Sequence, residues 1–207
     1  MTTEAGNRAV RAGKQATDTE KKAADGHRRA QMLIWVIAVL ALPLLAYSAE
    51  QTSPGAGPVI VLETVKGVIE FETYPEEAPK TVAHIVALVK RNFYNGLRFH
   101  RAEPNFVVQI GDPQTRNMQL QEWWGRSGSG KPIGVSEITK KRRHLRASVA
   151  MAHSAGAATA DSQFYILLRA APELDGKHAV FGRVIKGMDV VMRIQRADVL
   201  KRAYLKE

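Results

Sequence analysis

One short stretch constrains the fold more than any other part of the chain, because it combines a strand pattern with a displaced arginine. It reads Phe-His-Arg-Ala-Glu-Pro-Asn-Phe-Val-Val-Gln-Ile-Gly-Asp from 99 to 112. Residues 105–110 are short, apolar and β-branched, which predicts a strand whose alternate side chains share a face. Pro104 keeps Arg101 off that strand. The arginine therefore has to reach an apolar surface from a preceding strand or turn, an arrangement that indicates a ligand site.

Two later blocks accompany this stretch. One reads Ser-Val-Ala-Met-Ala-His at 148–153 and continues as Asp-Ser-Gln-Phe-Tyr-Ile at 161–166. The other reads Glu-Leu-Asp-Gly-Lys-His-Ala-Val-Phe-Gly-Arg-Val-Ile-Lys-Gly-Met-Asp at 173–189. In order and spacing, the three blocks closely resemble the signature of cyclophilins, the barrel-shaped peptidyl-prolyl isomerases. The distance from Met151 to Gln163 resembles the bacterial branch most, and the resemblance extends from about residue 59 to 195.

The pattern from residue 59 onward predicts a mainly β domain. Lys66-Gly67 separates two strand patterns as a hairpin turn would. An apolar stripe at three- and four-residue spacing follows Pro79 and predicts a helix, and a second helix is predicted over 188–196. The further predicted strands cover 148–151, 163–168 and 179–185. Together with the resemblance, this implies a closed eight-stranded antiparallel β-barrel capped by two α-helices. The composition of the N-terminal quarter adds one transmembrane helix before this domain.

The chemistry that these residues can perform is rotation about an X–Pro peptide bond. The barrier of about 18–20 kcal/mol falls when a donor binds the proline nitrogen, whose lone pair localises in the twisted transition state. Arg101 is suited to this, since a guanidinium is always charged and offers fixed donors. The resemblance implies catalytic roles for Arg101, Gln109 and Phe106, and substrate-binding roles for Val107, Ala152, His153, Tyr165, Leu174 and His178. In this scheme Gln109 also steadies Arg101, and Tyr165, where many relatives have Phe, adds a hydroxyl that needs a partner.

The N-terminal quarter has a different composition. Residues 1–31 are polar and predict a disordered cytoplasmic tail. Residues 32–49 are apolar and uncharged, follow Arg28 and Arg29, and predict a transmembrane signal anchor, which places the domain in a periplasm, another extracytoplasmic space or a secretory lumen. Small residues at Ala46 and Ser48 leave open a signal peptide cleaved after Ser48. Residues 50–58 read as a linker, 59–197 as the isomerase domain and 198–207 as a C-terminal tail.

Several other classes of function are disfavoured. The chain has no cysteine, so disulfides and Cys-based metal or thiol chemistry are excluded, and no metal or other cofactor is expected. The net charge of +10 is spread along the chain, so nucleic acid is not an expected partner. Ser162 lacks a Gly-x-Ser-x-Gly context, which argues against a hydrolase. We expect a monomer that acts on proline-containing polypeptides and assists folding outside the cytoplasm. The alternative is a membrane-tethered proline-binding module or chaperone with little turnover.

Overall fold

The computed structural model describes residues 57–207, and these form a mainly β domain. Its strands are β1 (Val59–Thr64), β2 (Gly67–Thr73), β3 (Arg101–Glu103), β4 (Val107–Ile110), β5 (Ser148–Met151), β6 (Phe164–Leu167), β7 (Val180–Lys186) and β8 (Leu200–Leu205). They form one antiparallel sheet in the order β3-β4-β6-β5-β7-β2-β1-β8. This part of the chain also holds the two helices expected, α1 (Pro79–Lys90) and α2 (Met188–Arg193). The segments predicted as tail and anchor, 1–31 and 32–49, lie outside the described residues.

The sheet is open between its two edge strands, β3 and β8, so the prediction of a closed barrel is wrong at this seam. A single bridge joins Arg98 to Val199, and the Phe99 amide donates to the Asp198 carbonyl across 3.0 Å. The reason is local. β3 is only three residues long and pairs with β4, while Ala197, at a φ of 75°, interrupts extended backbone just before β8. The barrel-like sheet is therefore bridged at this seam without a continuous ladder.

The last residues belong to the sheet, which corrects the prediction of a C-terminal tail over 198–207. Strand β8 pairs with β1 from Ile60 opposite Leu205 to Thr64 opposite Leu200. Leu200 and Ala203 are buried, whereas the charged residues at 201 and 202 are exposed. The two charged residues make the apolar alternation typical of a strand hard to recognise in the sequence. Pairing with β1 nevertheless forms the strand, although its intrinsic strand propensity is low.

Helix α1 is fixed at its start by a distant side chain. Ala78 at the N-cap has no side chain that can accept a hydrogen bond from the helix start, and the Glu137 carboxylate provides this acceptor instead. The two Glu137 oxygens accept the amides of Lys80 and Thr81 at 3.0 and 2.8 Å, so they satisfy donors that a helix start leaves open. The stripe predicted from Val82, Ile85, Val86 and Val89 is confirmed at three positions, because Val86 is only partly buried. Leu88, which the prediction left out, is buried as well.

Element boundaries shift where backbone geometry intervenes. The strand predicted over 105–110 begins at Val107, because Asn105 has a φ of 59° and belongs to the preceding turn. The final helix stops at Arg193, before the predicted end at 196. Gly67, at a φ of 135°, confirms the predicted hairpin turn. Within residues 57–207, no helix combines the length and hydropathy that a membrane span requires.

Candidate active site

A cleft of about 640 Å³ opens beside β4 and β6, and all nine residues predicted for the site line it. The strand register explains why they meet. Arg101 on β3 lies directly opposite Gln109 on β4, which lies opposite Tyr165 on β6. Directly opposed residues of antiparallel strands point to the same face. One row of side chains across three strands therefore carries the guanidinium, the amide and the aromatic ring to the same cleft.

One side of the cleft is an apolar wall, formed by Phe106, Val107, Tyr165 and Leu174. Val107 and Tyr165 are buried and belong to a small hydrophobic cluster beside the main core. Phe106 and Leu174 are partly buried and pack against that cluster from the rim. Such a wall provides a non-polar surface of fixed shape without any hydrogen-bonding group except the Tyr165 hydroxyl.

Arg101 extends over the rim of this wall. Its Nε donates to the Glu103 carboxylate at 2.7 Å, and its guanidinium carbon lies 5.5 Å from the centre of the Phe106 ring. This hydrogen bond lowers the pKa of Glu103. Neither terminal nitrogen of Arg101 makes a hydrogen bond within residues 57–207. The ion pair thus fixes the guanidinium through Nε and leaves its outer donors for a ligand.

Gln109 is held by another glutamine, which corrects the prediction that it steadies Arg101. Its Nε2 donates to the Gln163 Oε1 at 2.9 Å. The Gln163 amide nitrogen in turn donates to the carbonyls of Gly125 and Ser127 at 3.0 and 2.7 Å. Arg101 is drawn to the carboxylate of Glu103 instead, a stronger partner than a neutral amide.

A second wall of the cleft, the loop wall, is formed by residues 125–128, two of which are glycines. Asp112 is fully buried, and its Oδ2 accepts the amides of Gly125, Arg126 and Ser127. Its Oδ1 accepts the Gln114 amide at 2.8 Å. Sequence reasoning missed this role, although an Asp before a Pro is a recognised turn former.

Two histidine rings that line the cleft lie against each other at a tilt of 32°. The rings of His153 and His178 lie 4.4 Å apart, and each has a ring nitrogen at a backbone carbonyl: His153 at Lys177 (2.9 Å) and His178 at Met151 (3.1 Å). Burial lowers the pKa of His178, and the neighbouring His153 adds to this. The Ala152 amide donates to the Gln163 carbonyl, so a peptide cannot use that N–H.

The Tyr165 hydroxyl finds a partner that no sequence pattern indicated. It lies 3.1 Å from the His144 Nε2, and the His144 Nδ1 lies 2.9 Å from the Asp175 Oδ1. Burial raises the pKa of Tyr165 and lowers that of His144. His144 lies 21 residues from Tyr165 and 31 residues from Asp175 along the chain, so spacing alone could not reveal the contact.

Comparison with known proteins adds an independent finding. The family model for cyclophilin type peptidyl-prolyl cis-trans isomerases matches residues 59–206. A probable peptidyl-prolyl cis-trans isomerase of Brucella abortus is 36% identical over 167 residues, covering 78% of this chain and 85% of that protein. The Arabidopsis thaliana peptidyl-prolyl cis-trans isomerase CYP71 is 39% identical over 69% of this chain, which spans only 22% of that longer protein.

A solved structure shares the fold. The cyclophilin type peptidyl-prolyl cis-trans isomerase of Cryptosporidium parvum, crystallised in the presence of the dipeptide Ala-Pro, superposes with a TM-score of 0.63 at 22% identity. The match covers 72% of this chain and 99% of that protein.

Proposed function

The chain belongs to the cyclophilin family of peptidyl-prolyl cis-trans isomerases, and from that premise we propose that the cleft beside β4 and β6 is its active site, with Arg101 as the transition-state donor. The observation that carries the proposal is the geometry of Arg101. Glu103 holds it through Nε, Phe106 lies beneath it, and its terminal nitrogens are left for a ligand. The enzyme's substrates are proline-containing polypeptides, a class supported by the Ala-Pro dipeptide present with the Cryptosporidium relative.

The mechanism follows from what each wall can do. The proline ring enters the slot lined by Phe106, Val107, Tyr165 and Leu174, where it displaces water from apolar surface. As the X–Pro bond twists, the proline nitrogen becomes an acceptor, and an Arg101 N–H binds it. This bond is stronger in the twisted state than in the planar one, so it lowers the barrier.

The remaining predicted residues position the peptide. Gln109, fixed through Gln163, presents its amide to the substrate backbone next to the rotating bond. The Ala152 carbonyl and the His153 backbone offer hydrogen bonds to an extended peptide. The His178 ring, which lies against the ring of His153, lines the cleft beside them. No step needs a nucleophile or a metal, because no covalent bond is made or broken.

Arg101→Ala tests the assignment, and Arg169→Ala is its matched control. The Arg169 guanidinium lies 5.0 Å from the Phe106 ring, but Arg169 is paired with Glu173 outside the cleft. In a protease-coupled assay on an X-Pro peptide, Arg101→Ala should lower kcat/KM by roughly a hundredfold or more, with a much smaller loss of peptide binding. Arg169→Ala should change kcat/KM by no more than about twofold.

Equal losses in binding and turnover in Arg101→Ala would make Arg101 an anchor. Binding without turnover in the unmodified protein would favour the alternative function, a proline-binding module or chaperone.

We also propose that the enzyme is a single-pass membrane protein with a cytoplasmic N-terminus, assisting protein folding on the far side of the membrane. The support is the uncharged segment 32–49 after two arginines. Relatives of comparable identity are both bacterial and plant proteins, so closeness to the bacterial branch stays a prediction.

The topology has a direct test. Full-length protein should resist carbonate extraction, while a chain lacking residues 1–49 should be released. Protease added from the outer or lumenal side should digest the domain. A soluble product beginning at residue 49 would instead establish cleavage after Ser48.

A further inference from the structure

A chain of hydrogen bonds leads from the partly exposed carboxylate of Asp175 through buried His144 to Tyr165 in the apolar wall. The His144 side chain is 1% exposed and lies between the Asp175 carboxylate and the Tyr165 hydroxyl. The His144 backbone amide also donates to the Asp175 Oδ1 at 2.8 Å. Two hydrogen bonds to one carboxylate oxygen, from the backbone amide and from the ring, orient His144. His144 is not among the residues that line the cleft.

The protons in this chain can be assigned from the partners. A carboxylate only accepts hydrogen bonds, so the His144 Nδ1 carries the hydrogen that faces Asp175. In the neutral ring, Nε2 then has a lone pair and accepts the hydrogen of the Tyr165 hydroxyl. The hydroxyl hydrogen therefore points into the protein interior and away from the slot.

The direction of the Tyr165 hydroxyl matters for the bound proline ring, if the cleft has the function proposed above. A tyrosine in an apolar wall brings a polar hydrogen that would be unpaired against a proline ring, and an unpaired polar group is unfavourable there. We propose that His144 is a positioning residue that turns the Tyr165 hydroxyl inward and so keeps the proline slot apolar. Asp175 contributes by selecting the tautomer of His144 whose Nε2 can accept the hydrogen bond of the Tyr165 hydroxyl.

The arrangement has a built-in response to acid. The charged and titratable groups facing His144 are Asp175, Glu173, Tyr165 and His178, whose ring centre lies 6.4 Å away. Burial, the largest influence, lowers the pKa of His144, while Asp175 and Glu173 oppose it. His144 is therefore neutral at neutral pH. When it gains a proton, Nε2 becomes a donor, and the Tyr165 hydrogen has to turn away from it.

Rescue by a second substitution separates positioning from general damage. His144→Leu removes the acceptor and should lower kcat/KM roughly fivefold at pH near 7.5, mainly through KM, because the hydroxyl is left without its inward partner. His144→Gln, which offers a non-titrating acceptor, should recover most of that loss. In the Tyr165→Phe background, adding His144→Leu should cause no further loss, because the hydroxyl is gone.

The pH profile gives a readout that a purely structural role would not change. As the pH is lowered from 7.5 into the range below 6.5 in which His144 takes up its proton, kcat/KM of the unmodified protein should fall, with a smaller fall in Tyr165→Phe. All variants are compared as the folded fraction, measured by thermal unfolding. A His144→Leu loss that persists in the Tyr165→Phe background, or an unaltered acid limb in Tyr165→Phe, would overturn the proposal. Arg101→Ala, measured alongside, reports separately on whether the cleft is the active site.

Discussion

The two walls of the cleft are held in place by different forces. Strands β4 and β6 and the turn before Asp175 carry the apolar wall, which stays in place because its residues pack against a hydrophobic cluster. The loop wall, 125–128, has no helix or strand, and the side chains of Asp112 and Gln163 hold it through hydrogen bonds. Burial is spread over many contacts, whereas the loop depends on a few polar atoms. A single substitution of a polar residue should therefore disturb the loop wall far more than a conservative substitution of an apolar residue disturbs the apolar wall.

The largest effect is expected at Asp112. Asp112→Asn replaces one acceptor oxygen by a donor amide while its four backbone N–H partners remain, three of them in the loop wall. We expect a loss of roughly 2–4 kcal/mol in unfolding free energy, together with a raised KM, because charge-assisted hydrogen bonds are lost in a buried site. Urea unfolding and the isomerase assay measure the two effects.

Asp189→Asn is the matched control for this change. Asp189 is exposed on α2 and paired with Arg193 at 3.2 Å, and its loss should alter stability by less than about 0.5 kcal/mol. Similar effects of the two substitutions would mean that Asp112 does not hold the loop wall.

An acid-dependent effect is expected next, at His100, which lies against Gly125 of the loop wall. Burial lowers the pKa of His100 to about 4, with Asp112 opposing and Arg101 adding to the shift. The unfolded chain binds this proton near pH 6.5 and the folded one only near pH 4, so stability falls as the pH drops through this window. The contribution of His100 is at most about 3 kcal/mol.

His100→Phe cannot take up this proton, so its unfolding free energy should fall less between pH 7.5 and 4.5 than that of the unmodified protein. Some loss should remain, because the pKa values of His144 and His178 are also lowered. An identical pH dependence in the two proteins would show that the protonation of His100 does not contribute to the loss of stability in acid.

The smallest effect is expected at Gln163, which joins the two sides of the cleft. Gln163→Met keeps the length of the side chain but loses its bonds to Gln109, Gly125 and Ser127. We expect a loss of about 1–2 kcal/mol in stability and roughly a tenfold fall in kcat/KM as Gln109 loses its orientation. Gln195→Met, at an exposed position, serves as the control. Unchanged turnover in Gln163→Met would show that Gln109 needs no support.

The apolar wall could be predicted from the sequence, and the loop wall could not. Phe106, Val107 and Tyr165 fall within or next to strands, where alternation and the resemblance both apply, and the structure places them in one cleft. The contacts of Asp112 and Gln163 join residues that lie far apart in the chain and depend on loop geometry, for which the sequence has no periodic signal. His144 was missed for the same reason.

For the fold, the predictions made from local sequence patterns were confirmed, whereas the predictions of a closed barrel and of a C-terminal tail were wrong. Turn chemistry at Gly67 and the stripe of α1 indicated elements that the structure contains. The strand at 200–205 depends on a pairing partner more than a hundred residues away, which propensity does not encode. The open seam depends on the positive φ of Ala197, which the sequence pattern did not indicate.

The pairing of β1 with β8 has a consequence for synthesis of the chain. β1 is made first among the strands described, but its second neighbour exists only after residue 200 has been added. At about 5–20 residues per second, the roughly 136 residues between Thr64 and Leu200 take on the order of ten seconds to translate. Throughout that interval β1 carries an unpaired edge, the kind of surface that recruits wrong strands. Only when the last strand has been synthesised does β1 gain its second pairing partner and lose this open edge.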